Sequence, residues 1–192
     1  ILAANADYLL FTDGDCIPRK DFVAVHAKFA EEGYYLSGGY CKLNMPLSQK
    51  ISEEDIDKGN CFDVKWLKQQ DTLGTKQSLK LSAGNTLATV LDFVTPTGAT
   101  FNNCNSSAWK KDLIAINGYD ERMQYGGPDR ELGERLENYG IKTKQIRYQA
   151  ICLHLDHKRG YKTKESLDRN LQIRKEVKTD KKIWTDYGII KK

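Results

Sequence analysis

Two carboxylates one residue apart, Asp13 and Asp15, follow the short apolar run Tyr8-Leu9-Leu10-Phe11. Residues at i and i+2 of an extended chain point to the same side, so both acids can face one site, and Gly14 leaves room between them. Converging carboxylates suit a divalent cation, and in an open α/β sheet ligands bind at the carboxyl ends of strands. The competing reading is a plain turn, because Asp-Gly is common in turns and Asp side chains cap loops. The run itself, continuous and rich in aromatic and branched side chains, predicts a strand buried on both faces.

The elements around that turn follow from periodicity and punctuation. A helical approach is expected over Ile1–Ala6, then a helix over Asp21–Glu32 closed by Gly33, and a strand over Tyr34–Leu43 with Gly38 and Gly39 marking a bulge or close approach. Residues 44–58 are expected to be mostly loop, leading into a helix near Glu53–Gln70. The stretch 71–90 carries little periodicity. Val94–Asn105 is short-strand or loop material and Trp109–Ile116 a short helix. Pro128, followed by Asp129 and Glu131, opens a helix that Gly140 closes, and Lys144–Leu153 is the last strand.

The chain has 192 residues, 40% apolar and 29% charged, enough for one domain with a real core. No window resembles a membrane span and the N-terminus has no signal-peptide pattern, so a cytoplasmic location is expected. Cys16, Cys41, Cys61, Cys104 and Cys152 are scattered without a CxxC pair and read as small buried thiols. Residues 158–192 carry twelve Lys/Arg against five Asp/Glu, a charge of +7, which leaves the rest at −3. Leu167, Leu171, Ile173, Val177, Ile183, Trp184, Tyr187, Ile189 and Ile190 lie in this basic tail. Such a stripe can pack on the protein or lie against the inner face of an anionic membrane as a peripheral contact. Nucleic acid is not an expected partner, since the apolar spacing speaks against a basic binding face.

The order strand, DGD, Pro, helix in "FTDGDCIP" (residues 11–18) resembles glycosyltransferase family 2, whose DxD element binds Mn²⁺ or Mg²⁺ on the diphosphate of a nucleotide sugar. The segment "NNCNSSAWKKDLIAINGYDERMQYGGPDRELGERL" (102–136) resembles that family's later half, in its galactosyltransferase-type form, with Pro128 where the usual Glu precedes the Asp. "ICLHLDHKRG" (151–160) resembles the end of the catalytic core. The resemblance implies that Asp129 is the general base, against the plainer role of a first-turn carboxylate on the helix dipole. It also implies that His157 is a metal ligand, with His154 as a second. On a straight strand i and i+3 face opposite sides, so both can serve one ion only if the chain turns at Leu155 or Asp156. Asp156 can alternatively orient an imidazole. Lys158 and Arg159 can add positive charge. Glu131, Glu134 and Arg135 read as solvated or helix-pairing charges, Glu131 with Arg135 at i,i+4.

What the resemblance implies is a GT-A fold, α/β with a mixed, mostly parallel sheet between helices, occupying residues 1–157 and followed by a basic helical tail at 158–192. The family's first elements should precede Ile1, so the fold is expected to be incomplete at the N-terminus. The implied activity is metal-dependent, inverting hexosyl transfer from a nucleotide-sugar donor, a UDP-sugar first, to a saccharide or glycolipid acceptor in surface polysaccharide synthesis. Asp13, Asp15, His154 and His157 are the metal candidates. Asp13 with Asn103, Asn105, Trp109, Gly126 and Gly127 are the substrate-binding candidates, although Trp109 can equally be core. The alternative is a non-catalytic carbohydrate- or nucleotide-sugar-binding module of the same fold.

Overall fold

The computed structural model describes residues 1–158 and 163–191. Strands β1 (Tyr8–Phe11), β2 (Cys16–Pro18), β3 (Tyr34–Lys42), β4 (Ser106–Trp109) and β5 (Lys142–His154) form one sheet in the order β1-β4-β3-β5-β2. The α-helices are α1 (Phe22–Phe29), α2 (Met45–Lys50), α3 (Glu53–Asp57), α4 (Val64–Gln70), α5 (Thr75–Ser82), α6 (Asn85–Val94), α7 (Lys110–Ala115), α8 (Pro128–Tyr139) and α9 (Lys164–Thr179).

The expectation of a mostly parallel sheet is corrected. Only β3 and β5 pair in parallel; β1 with β4, β4 with β3, and β5 with β2 are antiparallel. The short β2 and β4 run against the other three strands, and a run of three or four residues carries no signal of direction. β1 lies at one end of the sheet with Leu9 its one buried residue; Phe11 packs with Leu9 on one face and Tyr8 on the other, both only partly buried, so the expected full burial of both faces is not reached.

Adjacent residues of a strand point to opposite faces, and β3 shows both faces covered. Tyr35 packs with Phe101, Leu113 of α7, and Leu132 and Leu136 of α8. Leu36 faces the other way, into Ile146, Ala150 and the α1 residues Val25 and Phe29. A third cluster, around Cys41, Leu43 and Leu153, is sealed by Leu47 of α2 and Leu67 of α4.

Several local expectations change. Ile1–Ala6 forms turns and bends, not a helix. Asn44 accepts from Leu47 N at 2.9 Å and Pro46 sits in the first turn, making α2 where a loop is expected. Glu53–Gln70 is broken by Gly59 at φ +74° and by Asp63, which caps α4 through Trp66 N at 2.7 Å. The unpatterned 71–90 stretch contains α5 and the start of α6. β4 was hidden as a polar stretch: Ser106 and Ser107 are fully buried. By contrast α8 runs from Pro128 to Tyr139 and ends on Gly140 at φ +103°, as predicted.

The pairing of β3 with β5 slips at Gly38/Gly39, where the partner changes from Ile146 to Ile151. The four skipped residues form a bulge held from both sides. Asp92 of α6 accepts from Tyr148 N at 2.9 Å, and Arg19 donates to Gln149 O at 2.6 Å. Inside, the Asn105 amide donates to Gly39 O (2.7 Å) and Ala150 O (3.0 Å), two carbonyls freed by the slip. A Cβ at Gly38 would lie 1.8 Å from Asn105 Oδ1, so this stitch requires glycine.

Candidate functional site

β1 and β2 are joined by the turn that carries the DGD sequence, closed by Cys16 N donating to Asp13 O at 3.1 Å. Because β2 pairs with the end of β5, Cys16 lies opposite His154. β5 ends there: Leu155 N donates to Asp15 O at 2.9 Å and Asp156 N to Ser48 Oγ at 2.7 Å, so the chain turns. That turn brings both imidazoles onto one carboxylate. His157 Nε2 is 3.0 Å and His154 Nε2 3.6 Å from Asp15 Oδ2. Each Nδ1 faces a main-chain carbonyl, Leu155 O at 2.9 Å and Lys158 O at 3.0 Å, which fixes the ring and directs Nε2 to the carboxylate.

These atoms fit a small divalent cation. Ligand atoms about 2.0–2.2 Å from an ion lie roughly 3–3.5 Å from their neighbours in its shell, close to the separation of each ring from Asp15, and the ligand atoms of Asp15, Cys16 and His154 all lie within 4.8 Å of one another. Oxygen and imidazole donors together suit a first-row ion such as Mn²⁺. Asp13 shares the cleft. Burial, with the neighbouring Cys16, Asp15 and Asp129, pushes its carboxyl up to about 6.

The same cleft, about 1670 Å³, receives the start of α8. Asp129 sits in its first turn, accepting from Arg130 N at 2.8 Å and, at 3.4 Å, from Asn103 N. Asn103 in turn accepts from the Tyr119 hydroxyl. Gly126 and Gly127, at φ +108° and +94°, form the turn into α8, and a Cβ on Gly126 would meet Leu167 Cδ2 at 2.4 Å. α9 holds that turn: Asn170 donates to Tyr125 O (3.0 Å) and Gly126 O (3.1 Å). Of the tail's apolar residues Ile173 and Val177 are buried, while Leu171 and Ile190 are more than half exposed. No helix among the described residues is long and apolar enough to cross a membrane.

Asp13, Asp15, Asn103, Gly126, Gly127, Asp129, His154 and His157 therefore line one cleft. Asn105 and Trp109 do not. Asn105 is fully buried with its amide committed to the bulge and to His26 Nε2 at 2.8 Å. Trp109 stacks edge-on with Tyr8, ring centroids 5.0 Å apart, and donates to Glu31 O at 3.0 Å on the β1 side. Of the two readings of Glu131 and Arg135, the i,i+4 pairing holds and the solvated one is corrected: they pair at 2.6 Å, both fully buried, and Arg135 further donates to Ile116 O and Gly118 O. Arg159 lies outside the described residues.

Lys42, Lys80, Arg130, Arg147 and Arg174 also line the cleft, and sequence reasoning missed them. Lys80 donates to Tyr40 O at 2.9 Å, and burial lowers its ammonium. It falls in the unpatterned stretch, and Arg147 is turned into the cleft by the bulge, which no alternation pattern reveals. Their charge offsets that of the three carboxylates.

A family described as the N-terminal domain of galactosyltransferase matches residues 89–158. That segment contains Asp129, His154 and His157. A curated relative from Bacillus subtilis (strain 168), the uncharacterized glycosyltransferase YfnE, is 25% identical over 196 residues, covering 88% of this chain and 49% of the relative. Over residues 89–158 the chain resembles a glycosyltransferase family, and over most of its length it is similar to a protein named as a glycosyltransferase. It spans about half the length of the curated relative it matches. The family match begins within α6 and ends just after the His154–His157 turn, so it spans the elements that bring Asp129 to the histidines and leaves out the DGD turn.

Proposed function

We propose that this domain transfers a hexosyl group, in the manner of family 2 enzymes of GT-A fold, from a nucleoside-diphosphate sugar to a hydroxyl of a saccharide or glycolipid acceptor, with inversion at the anomeric carbon. The observation that carries the reading is the meeting of Asp15, His154 and His157 in the cleft that also holds Asp129. Asp15, His154 and His157, with Asp13 beside them, would hold Mn²⁺ or Mg²⁺. When bound, the cation supplies neutralising charge to the departing diphosphate.

The chain's own groups do the rest. Lys80 and Arg147 add positive charge where the diphosphate would lie. The Gly126–Gly127 turn, packed closely under Leu167 and Arg174 of α9, sets the start of α8, and with it Asp129, at the cleft. Asp129, oriented by the Arg130 and Asn103 amides, takes the proton from the acceptor hydroxyl as it attacks the anomeric carbon. Surface polysaccharide synthesis at the cytoplasmic face of a membrane, with a UDP-sugar as donor, is the setting we assign to this chemistry.

Calorimetric titration of UDP- and GDP-sugars, with Mn²⁺ and with chelator, tests the reading. One donor is expected to bind only with the cation. Asp129→Asn is expected to keep that binding and lower turnover on the order of 100- to 10,000-fold. Unchanged turnover would remove Asp129 from the mechanism, and donor binding without transfer to any acceptor would favour a binding module.

A further inference from the structure

Three of the five cysteines converge beneath the DGD turn. Cys16 comes from β2, Cys152 from β5 two residues before His154 on the same face, and Cys104 from the loop entering β4. Their sulfurs all lie within 4.8 Å of one another. Cys104 and Cys152 are buried and Cys16 is half-buried. Polar groups surround the trio: Cys104 donates to Asn102 Oδ1 at 2.9 Å, Cys152 to Cys104 O at 3.4 Å, and the Asn105 amide approaches Cys152 Sγ at 4.0 Å. Cys41 and Cys61 differ, sitting apart in the apolar cluster of Leu43, Leu47 and Leu67.

Three sulfurs about 2.3 Å from a tetrahedral ion would stand roughly 3.8 Å apart, so small side-chain rotations suffice to form such a set. Cys16 also belongs to a second group, with Asp15 and His154, whose ligand atoms lie within the same 4.8 Å limit. Cys16 thus links the sulfur trio to the cleft. Thiolates select soft cations, whereas carboxylate, imidazole and phosphate oxygen suit Mn²⁺ or Mg²⁺.

We propose that Cys16, Cys104 and Cys152 form a second metal site, for a thiophilic d¹⁰ cation of the zinc class, directly adjoining the Asp15–His154–His157 cluster. Binding replaces up to three S–H bonds with metal–sulfur bonds and releases those protons to solvent. The site does not depend on the transferase reading, because it needs neither donor nor turnover.

The test is titration of the reduced protein with Cd²⁺ in chelator-free, weakly buffered solution. A thiolate-to-Cd²⁺ ultraviolet band saturating at one equivalent, with proton release, is expected. Cys16→Ser, at the half-buried position, should weaken binding on the order of 100-fold, while His157→Gln should keep the band. No band, a band unchanged in Cys16→Ser, or a band lost equally in His157→Gln would overturn the proposal. Cadmium-113 resonance of the unaltered protein gives an answer independent of any variant: a sulfur-rich shift supports the site, and oxygen- or nitrogen-type resonances with no sulfur-rich one refute it.

Discussion

His26 and the pair His154 and His157 show what separates a structural imidazole from one that can bind. His26 is buried and both ring nitrogens are used, Nδ1 with Ser107 Oγ at 2.7 Å and Nε2 with Asn105 Oδ1 at 2.8 Å. Asn105 spends its NH₂ on Gly39 O and Ala150 O, so its oxygen must accept and Nε2 of His26 carries the proton. Nδ1 then accepts from Ser107, whose oxygen can accept in turn from Tyr8. One neutral relay thus runs from β1 to the bulge. At the cleft each histidine has Nδ1 on a carbonyl and Nε2 on a carboxylate it shares with the other. Closure of both nitrogens by the interior makes His26 a fastener; two rings aimed at one anion leave His154 and His157 suited to a cation.

The largest expected effect lies on the cleft side. Asp15→Ala removes the group on which both rings converge, so cation-dependent nucleotide-sugar affinity should fall by at least about 100-fold, while the urea midpoint stays near that of the parent. Retained Mn²⁺-dependent affinity in that variant would erase the distinction drawn between the two sets of histidines. On the interior side the expectation is reversed. His26→Leu leaves Ser107 and Asn105 facing an apolar group, which should cost roughly 2–4 kcal/mol in urea unfolding. Burial lowers His26 to about 4, below its ordinary value of 6.5. As pH falls from 6.5 toward 4 the unfolded chain gains a proton that the folded chain refuses. This contribution is therefore complete above pH 6.5 and lost toward pH 4, to the extent of about 3 kcal/mol. The acid limb of the stability curve should flatten in His26→Leu, and an unaltered limb would mean that His26 does not control it.

How much of this was legible in the sequence depends on the range over which each feature is determined. Pro128 and Gly140 bound α8 by local sterics, and both helix ends fall where those residues predict. The i,i+4 pairing of Glu131 with Arg135 was readable for the same reason, but its complete burial was not, because the carbonyls of Ile116 and Gly118 that justify it lie outside the helix. Asn105 read as a substrate-binding candidate because an amide suits sugar hydroxyls. Its partners are carbonyls on β3 and β5, freed by a register slip that only pairing creates. Gly38 and Gly39 flagged that slip without saying what would fill it. The convergence of Asp15 with His154 and His157 needed a turn at residues 155–156, a condition the sequence could state and only the fold could meet. The cysteine trio, drawn from three separated segments, left no pattern of spacing at all.

The smallest effect sharpens the contrast between folding and binding within the cleft itself. Asp13 is held up to about 6, first by burial and then by the neighbouring Cys16 and carboxylates, so its charge opposes folding. The unfolded chain ionises near 3.8 and the folded chain near 6; between these values the folded state holds the extra proton, and stability falls as pH rises. Above pH 6 the cost is fully present. Discounted for solvent screening at a half-exposed site it is ~1 kcal/mol, so Asp13→Asn should melt about 2–4 °C higher than the parent at pH 7.5. The gain should shrink at pH 5, where the parent's Asp13 is mostly protonated. The same variant should bind the nucleotide sugar more weakly with Mn²⁺ present, because a cation would offset the repulsion that burdens the parent. A variant that melts lower at pH 7.5 would show that Asp13 supports the DGD turn, and its carboxylate would then belong with His26 among the fasteners.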